Sequence, residues 1–318
     1  MRTKPLLLLL SALLGCVCLL FMIYNAKGNW DFILPFRGKK LLLLLIIAYA
    51  IGVSTLLFQT LTNNPILTPG ILGFDSLYLL IQSALIFFFG GLGFTQLEPN
   101  IKFFFETFLM LIGALLLFKT LTKNNADLTR MLLVGIIFGV LFRSLNNLLR
   151  RIIDPTEFAI AQGSSFASFN TVNTNLLILS SIIIVVCGLW LGYQQHKLDI
   201  LLLGRERAIG LGLDYNRFTR QLLLYCALLV SISTALVGPV LFFGLLVCAV
   251  ANAIAPTVYH NLRIPMTFLI AAITLVGGQL LFEQVIGMQG VLSVIIEFIG
   301  GIVFISLILR KNTKELCS

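Results

Sequence analysis

The amino-acid sequence predicts an all-α polytopic membrane protein with about ten transmembrane helices. Of its 318 residues, 58% are hydrophobic and 11% are charged, and the mean hydropathy is +1.02. A soluble domain carries about 25% charged residues, so a water-soluble globule of this composition could not cover its surface. The apolar residues also fall in long runs, and a run of about 20 is enough to cross a bilayer. These observations exclude a soluble enzyme and a disordered chain.

The net charge of +9 has a membrane explanation. An excess of basic residues often indicates nucleic-acid binding. Here, however, the basic residues lie between apolar stretches, where such residues orient membrane helices. We therefore expect a lipid bilayer around this chain and no nucleic-acid partner.

Ten apolar runs define the expected transmembrane helices, which we interpret as one domain over residues 1–318. In order along the chain they cover residues 5–24, 41–61, 71–90, 103–121, 130–149, 175–194, 220–237, 240–256, 266–285 and 290–309. Only Gly238 and Pro239 separate the seventh run from the eighth. Because proline removes a backbone donor and disrupts a helix, this pair is expected to be kinked or re-entrant.

The basic residues also predict the orientation in the membrane. An even number of spans places both termini on the same side. With the termini in the cytoplasm, most of the 22 lysines and arginines fall in inner segments, as the positive-inside rule requires. We therefore expect a multi-pass protein of the inner (cytoplasmic) membrane with both termini cytoplasmic.

Two basic clusters stand on the face that should be poor in them. Arg37, Lys39 and Lys40 precede the second span, and Arg150 and Arg151 follow the fifth. One interpretation is that these side chains snorkel to outer-leaflet phosphates. The other is a docking patch for an acidic soluble partner, since complementary charge steers encounter and fixes register.

The longest inner segment, residues 197–220, is expected to contact a cytoplasmic partner. A bare connector between helices needs far fewer residues. Residues 199–208 are predicted to form a short surface helix, ended by Gly210 and Gly212. The candidate contact residues are Gly204, Arg205, Glu206, Arg207, Ala208 and Gly212.

Patterns that indicate catalysis or a resident metal are missing from the sequence. It has no GxxxxGK[ST] phosphate loop, so we do not expect it to hydrolyse ATP, and no GxSxG nucleophile motif. The six cysteines form no CxxC pair and the two histidines are far apart, so neither a metal site nor a cofactor is expected. Acidic residues inside the apolar runs leave an ion-coupled secondary transporter as an alternative. They are Asp75, Glu106, Glu283 and Glu297.

Four stretches, in register over residues 37 to the end, resemble the FecCD permeases of ferric-siderophore, haem and cobalamin ATP-binding-cassette (ABC) importers. The motifs are an arginine pair, apolar helix, Gln and Asn-Pro-Leu…Pro-Gly-x-Leu-Gly; a Gly-Glu-x-x-Ala-x-x-Leu-Gly coupling loop; Gly-x-Ile-x-Phe-x-Gly-Leu-Ile-Val; and a closing Gly-Gly stretch. The matching residues here are Arg37–Lys40 with Gln59 and Asn63–Gly73, then Leu203–Gly212, Gly238–Val247 and Gly300–Phe304. Residues 154–158 and 166–170 are more similar to the siderophore branch, including catecholate systems, than to the cobalamin branch.

The resemblance implies a transport subunit rather than an enzyme, working by alternating access. It implies an ATPase dimer that meets the coupling loop and a periplasmic or lipid-anchored substrate-binding protein that docks near Arg37 and Lys40. The expected cargo is a ferric siderophore, with the catecholate type favoured and haem or cobalamin as alternatives. A third basic docking position is replaced around Phe282 and Glu283, which favours a heterodimer with a second permease over a homodimer.

The polar residues of the second span are candidates for the translocation pathway. Ser54, Thr55 and Gln59 lie at helical spacing in this otherwise apolar run. The alternative is that the same three side chains bond a neighbouring helix.

Overall fold

The computed structural model describes residues 3–24, 28, 30–122, 128–163, 166–170, 173–254, 257, 259–284 and 292–316. Arg2, Lys27 and Lys123, which entered the orientation argument, lie outside these residues. The helices are α1 (Thr3–Ile23), α2 (Trp30–Thr62), α3 (Phe74–Gln96), α4 (Pro99–Thr122), α5 (Leu128–Ile152), α6 (Pro155–Gly163), α7 (Thr174–Leu201), α8 (Arg205–Gly210), α9 (Tyr215–Val237), α10 (Phe243–Ile254), α11 (His260–Gln284) and α12 (Leu292–Leu316). A single 3-10 turn, Pro69–Leu72, precedes α3. The described residues contain no strand, and the predicted all-α class is confirmed.

The ten predicted runs correspond to α1–α5, α7 and α9–α12. Eight of these helices are long and apolar enough to cross a membrane. The helix in the eighth run is shorter than the run over 240–256, because α10 has 12 residues, or about 18 Å, against a hydrocarbon core of about 30 Å. Helix α6, between the fifth and sixth spans, was not predicted.

Helix α2 is the centre of the bundle. Its apolar stretch is 72% buried. It packs against α7, α9, α10 and α11. Gly52 allows a close approach, since a Cβ added there would lie 3.3 Å from the Cβ of Ala271 on α11. With 33 residues, α2 is about 50 Å long and extends beyond the hydrocarbon core at its ends.

Helix α7 connects the two ends of the bundle, which we name after the short helices that flank it. The α6 end carries α6 and the start of α2, and the α8 end carries α8 and the end of α2. Helix α1 runs from the α8 end to the α6 end, because its last turn contacts Arg37 near the start of α2.

Two segments of chain return to mid-depth of the bundle. The first is the turn Pro69–Leu72, which packs against the middle of α5: Gly73, at φ 91°, lies so close to Gly139 that an added Cβ would be 2.6 Å from the Gly139 Cα. Gly135 lies against Leu72 of the same turn, so both glycines let α5 pack closely against another segment of this chain.

The second segment joins α9 to α10. The carbonyl of Val237 accepts a hydrogen bond of 2.7 Å from the amide of Ser168 at the α6 end. Gly244, only seven residues later, lies against the hydroxyl of Thr55. Since Thr55 is about 10 Å from the other end of α2, the chain re-enters the bundle and α10 starts at mid-depth. This is the re-entrant arrangement that Gly238 and Pro239 predict.

Candidate functional site

Helix α8 is a short surface helix anchored by a single small residue. Gly204, at φ 89°, separates it from α7, and Ala208 is completely buried. The carbonyl of Ala208 also accepts a hydrogen bond of 3.0 Å from the amide of Leu213. The predicted helix over 199–208 is therefore displaced: residues 199–201 belong to α7, because the left-handed backbone at Gly204 starts a new helix.

The exposed surface of α8 is both charged and apolar. Glu206 and Arg207 are exposed. Around them lie Leu203, Ile209 and Leu211, which are 46%, 52% and 61% exposed. The predicted contact residues do not include these three, although large apolar side chains in a charged surface segment indicate a binding surface. Apolar area rimmed by charge is typical of a protein-binding surface.

A hydrogen-bonded link, buried at His260 and Thr60, connects the α8 region to the central helix. Asp199, near the end of α7, accepts hydrogen bonds from the backbone amide (2.9 Å) and ring Nδ1 (2.7 Å) of His260, the first residue of α11. The ring Nε2 of the fully buried His260 lies 2.9 Å from Oγ1 of Thr60 on α2. We call these three residues the Asp199–His260–Thr60 link. Their pairing was not predicted.

At the α6 end, two of the predicted docking residues hold the bundle together. Arg37 Nη1 lies 2.9 Å, 3.1 Å and 2.8 Å from the carbonyl oxygens of Phe21, Met22 and Tyr24, so it caps the last turn of α1. Lys40 is only 4% exposed.

Lys40 belongs to a buried polar cluster. Its Nζ lies 2.5 Å from Oε1 of Glu283 on α11 and 2.8 Å from Oδ1 of Asn170. Gln279 also donates to Glu283, at 2.8 Å. Glu283 thus neutralises the lysine at the place where the resemblance expects a further basic residue.

Of the other three predicted docking residues, one is bonded within the chain and two are exposed. Arg150 is half-buried and bonds Ser83, the carbonyl of Ala161 and Gln162. Lys39 and Arg151 are exposed. Lys39 borders a groove of about 270 Å³ at the α6 end. The groove is lined by Asp31, Phe32, Pro35, Phe36, Lys39, Lys40 and Asn170.

The three candidate pathway residues are buried within the chain. Ser54 and Thr55 pack against α9 and α10: the backbone oxygen of Ser54 accepts from the thiol of Cys226, and Thr55 meets Gly244. Gln59 donates to the carbonyl of Pro65 at 2.7 Å. This geometry favours the alternative in which the three residues stabilise packing of neighbouring segments.

Of the embedded acids, Asp75 and Glu297 interact electrostatically, whereas Glu106 and Glu283 have separate surroundings. Glu106 accepts from Gln82 at 2.7 Å, Glu297 accepts from the amide of Leu241 at 3.2 Å, and Glu283 pairs with Lys40. Within the described ranges, no group of three or more His, Cys, Asp or Glu side chains could hold a metal ion. The four acids therefore do not form one connected set, as a proton relay would require.

Comparisons with known proteins agree with this architecture. The FecCD transport family profile matches residues 5–310. The chain is 45% identical over 300 residues, 94% of its length and 95% of the relative's, to the petrobactin import permease YclO of Bacillus subtilis (strain 168). It is 35% identical over 277 residues, 87% of its length and 78% of the relative's, to the petrobactin import permease FatC of Bacillus anthracis. A solved structure of an inward-facing metal-chelate type ABC transporter covers 97% of the chain and is itself covered completely, with a TM-score of 0.84 and 21% identity.

Proposed function

We propose, from the premise that this chain belongs to the FecCD transport family, that it moves a ferric siderophore across the cytoplasmic membrane, with petrobactin as the first candidate. The chain is a permease subunit of an ABC importer and not an enzyme. The observation that carries the choice of cargo is the 45% identity to a petrobactin permease over 94% of the chain. The catecholate type favoured by the sequence stays a prediction.

The energy source is a pair of ATPase subunits that bind at α8. A separate ATPase needs a rigid contact on the permease, and the α8 surface offers charged Glu206 and Arg207 beside apolar Ile209 and Leu211. The α8 end then faces the cytoplasm. Both termini are cytoplasmic as well, because α1 starts at the α8 end and α12 runs parallel to α10 towards that end.

The Asp199–His260–Thr60 link carries the motion of α8 into the bundle. Asp199 lies two residues before the end of α7, and α8 begins at Arg205. A displacement of α8 and the end of α7 pulls on α11 through two hydrogen bonds and on α2 through Thr60. Alternating access therefore involves the most buried helix of the subunit.

A substrate-binding protein docks at the α6 end, on the outer side of the membrane. The exposed cations Lys39 and Arg151 attract an acidic surface of that protein, while Arg37, Lys40 and Arg150 hold the segments that carry them. The expected test is the double variant Lys39→Glu and Arg151→Glu, which lowers binding-protein-dependent uptake at least tenfold. The charge-conserving pair Lys39→Arg and Arg151→Lys is its control, and equal uptake by the two double variants would contradict the docking patch.

A second permease completes the pathway. Helix α5 has an apolar stretch of which only 17% is buried within this chain, so its free face is available to a partner permease and to the cargo. We favour a heterodimer, because Glu283 stands where the resemblance expects a basic docking residue. A homodimer would lack that basic residue in both of its docking patches, which makes docking less favourable.

Reconstituted uptake tests the proposed cargo. The purified subunit is combined in proteoliposomes with its ATPase, second permease and binding protein, and supplied with labelled ferric petrobactin, ferric hydroxamate, haem and cobalamin. We expect ATP-dependent accumulation of ferric petrobactin at least tenfold above the other three. Preferential uptake of haem or cobalamin would overturn the proposed cargo.

A further inference from the structure

Beside a strip of exposed Leu and Ile side chains, α5 carries a polar strip in the half that leads to the α6 end. Arg143, Ser144, Asn147 and Arg151 are all exposed on it. Side chains that face lipid in the hydrocarbon core are apolar, because an unpaired cation there is costly. The polar strip is therefore turned towards water in the pathway, and the apolar strip beside it towards lipid or a partner helix.

The polar face ends at Arg143. Arg143 lies nine residues before the end of α5, about 14 Å along the helix axis. That depth exceeds the reach of a side chain that snorkels to the headgroups. Further towards the α8 end the same face carries Val140, Ile136 and Leu133, which are all exposed and apolar. We call the polar surface from Arg143 to Arg151 the polar vestibule. On the side of Arg143 that faces the α8 end, the vestibule gives way to an apolar stretch.

Within the part of the chain that the structure describes, Arg143 makes no hydrogen bond and no ion pair. One carboxylate is close enough to shape its surroundings. The Asp75 carboxylate interacts electrostatically with both Arg143 and Glu297, and Asp75 is 9% exposed. The Glu297 carboxylate already accepts a hydrogen bond from the amide of Leu241. The donors of Arg143 are therefore available to a ligand.

We propose that Arg143 is a specificity-determining residue of the pathway, whose guanidinium donates hydrogen bonds to carboxylate or phenolate oxygens of an anionic ferric chelate. This inference rests on the proposed import of a ferric siderophore. A ferric catecholate complex is a polyanion, whereas a ferric tris-hydroxamate complex is neutral. A planar guanidinium with several donors suits paired oxygens, and its charge attracts the polyanion to the bottom of the vestibule. The apolar stretch below then prevents free ions from following.

Uptake by charge-graded variants tests this role. Arg143→Lys, Arg143→Gln and Arg143→Glu are assembled with the ATPase, second permease and binding protein, and uptake of ferric petrobactin is measured. A hydrogen bond to a charged group contributes about 1.5–3 kcal/mol, so Arg143→Gln should lower uptake about 10- to 150-fold. Arg143→Glu should lower it further, and Arg143→Lys should keep most of it.

A cysteine-accessibility measurement gives a readout that does not need transport. In a background without the six native cysteines, Arg143→Cys should react with a membrane-impermeant anionic thiol reagent added from the α6 side. Val186→Cys on α7, an exposed apolar position, serves as the lipid-facing control and should not react. Failure of Arg143→Cys to react would overturn the vestibule.

The outcomes separate this inference from the proposed function. If the wild-type complex takes up no ferric chelate, the proposed function fails. If the wild type transports and Arg143→Gln transports equally well, only the role of Arg143 fails. Loss of the second permease from the purified Arg143→Gln complex would also overturn the inference, since Arg143 would then bind the partner subunit and not the cargo.

Discussion

The Asp199→Ala variant probes the connection between the ATPase contact and the bundle. The substitution removes both hydrogen bonds that α7 makes with His260, at 2.7 Å and 2.9 Å. Each contributes about 1–1.5 kcal/mol, and the buried ring loses a carboxylate partner. We expect a loss of about 2–4 kcal/mol in stability, concentrated where α7 meets α11.

Coupling should suffer more than assembly in this variant. The ratio of ferric petrobactin taken up to ATP hydrolysed, measured in proteoliposomes, should fall about tenfold, while the ATPase still co-purifies because the α8 surface is intact. The matched control is Asp214→Ala, which removes the cap of α9 (Asp214 Oδ1 to the Arg217 amide, 3.1 Å) in the same segment. A lost helix cap costs about 1 kcal/mol, so the control should keep the wild-type ratio.

Two results would refute the reasoning. An unchanged ratio in Asp199→Ala would show that the link transmits nothing. An equal fall in Asp214→Ala would show that any weakening of the segment uncouples transport. The Thr60→Val variant adds a graded test. It keeps both bonds between Asp199 and His260 and removes the Thr60 hydroxyl, which contacts His260 and the carbonyl of Leu56, so it should give a smaller fall.

Three further predictions concern the bundle itself. Lys40→Met should destabilise the subunit by about 3–5 kcal/mol, because it leaves Glu283 buried without its cation, and adding Glu283→Met should restore much of this stability. Thermal unfolding in detergent checks both variants. No recovery in the double variant would contradict the pairing. Arg37→Ala should free the last turn of α1 and speed proteolysis before Trp30, whereas an unchanged cleavage pattern would argue against the cap. Gly244→Ala should lower the melting temperature because the new methyl group meets the Thr55 hydroxyl, and Thr55→Ala should partly rescue it; a neutral Gly244→Ala would contradict the close approach of α10 to α2.

The sequence predicts the helices better than it predicts their neighbours. Apolar runs place ten of the helices because a membrane span is encoded by local composition. Run length alone does not report depth, so it does not predict that α10, which begins at Phe243, starts in the middle of the bundle. In the same way, the short helix near 199–208 was expected, but its start depends on the backbone conformation of Gly204.

The candidate sites show a similar division. The surface character of residues 204–212 follows from local charge and glycine, and the structure exposes Glu206 and Arg207 there. The surroundings of Lys40 could not be predicted, because its partner Glu283 lies 243 residues further along the chain. Two outer cations of similar appearance in the sequence, Lys39 and Lys40, therefore differ completely in exposure.

The energy source of uptake tests the central claim most directly. Proteoliposomes that contain this subunit, its second permease, the ATPase and the binding protein are loaded with ATP and given labelled ferric petrobactin, with no ion gradient across the membrane. We predict accumulation that stops when the ATPase is omitted or when ATP is replaced by a non-hydrolysable analogue. Accumulation by the subunit alone, driven by a proton or sodium gradient, would contradict the account.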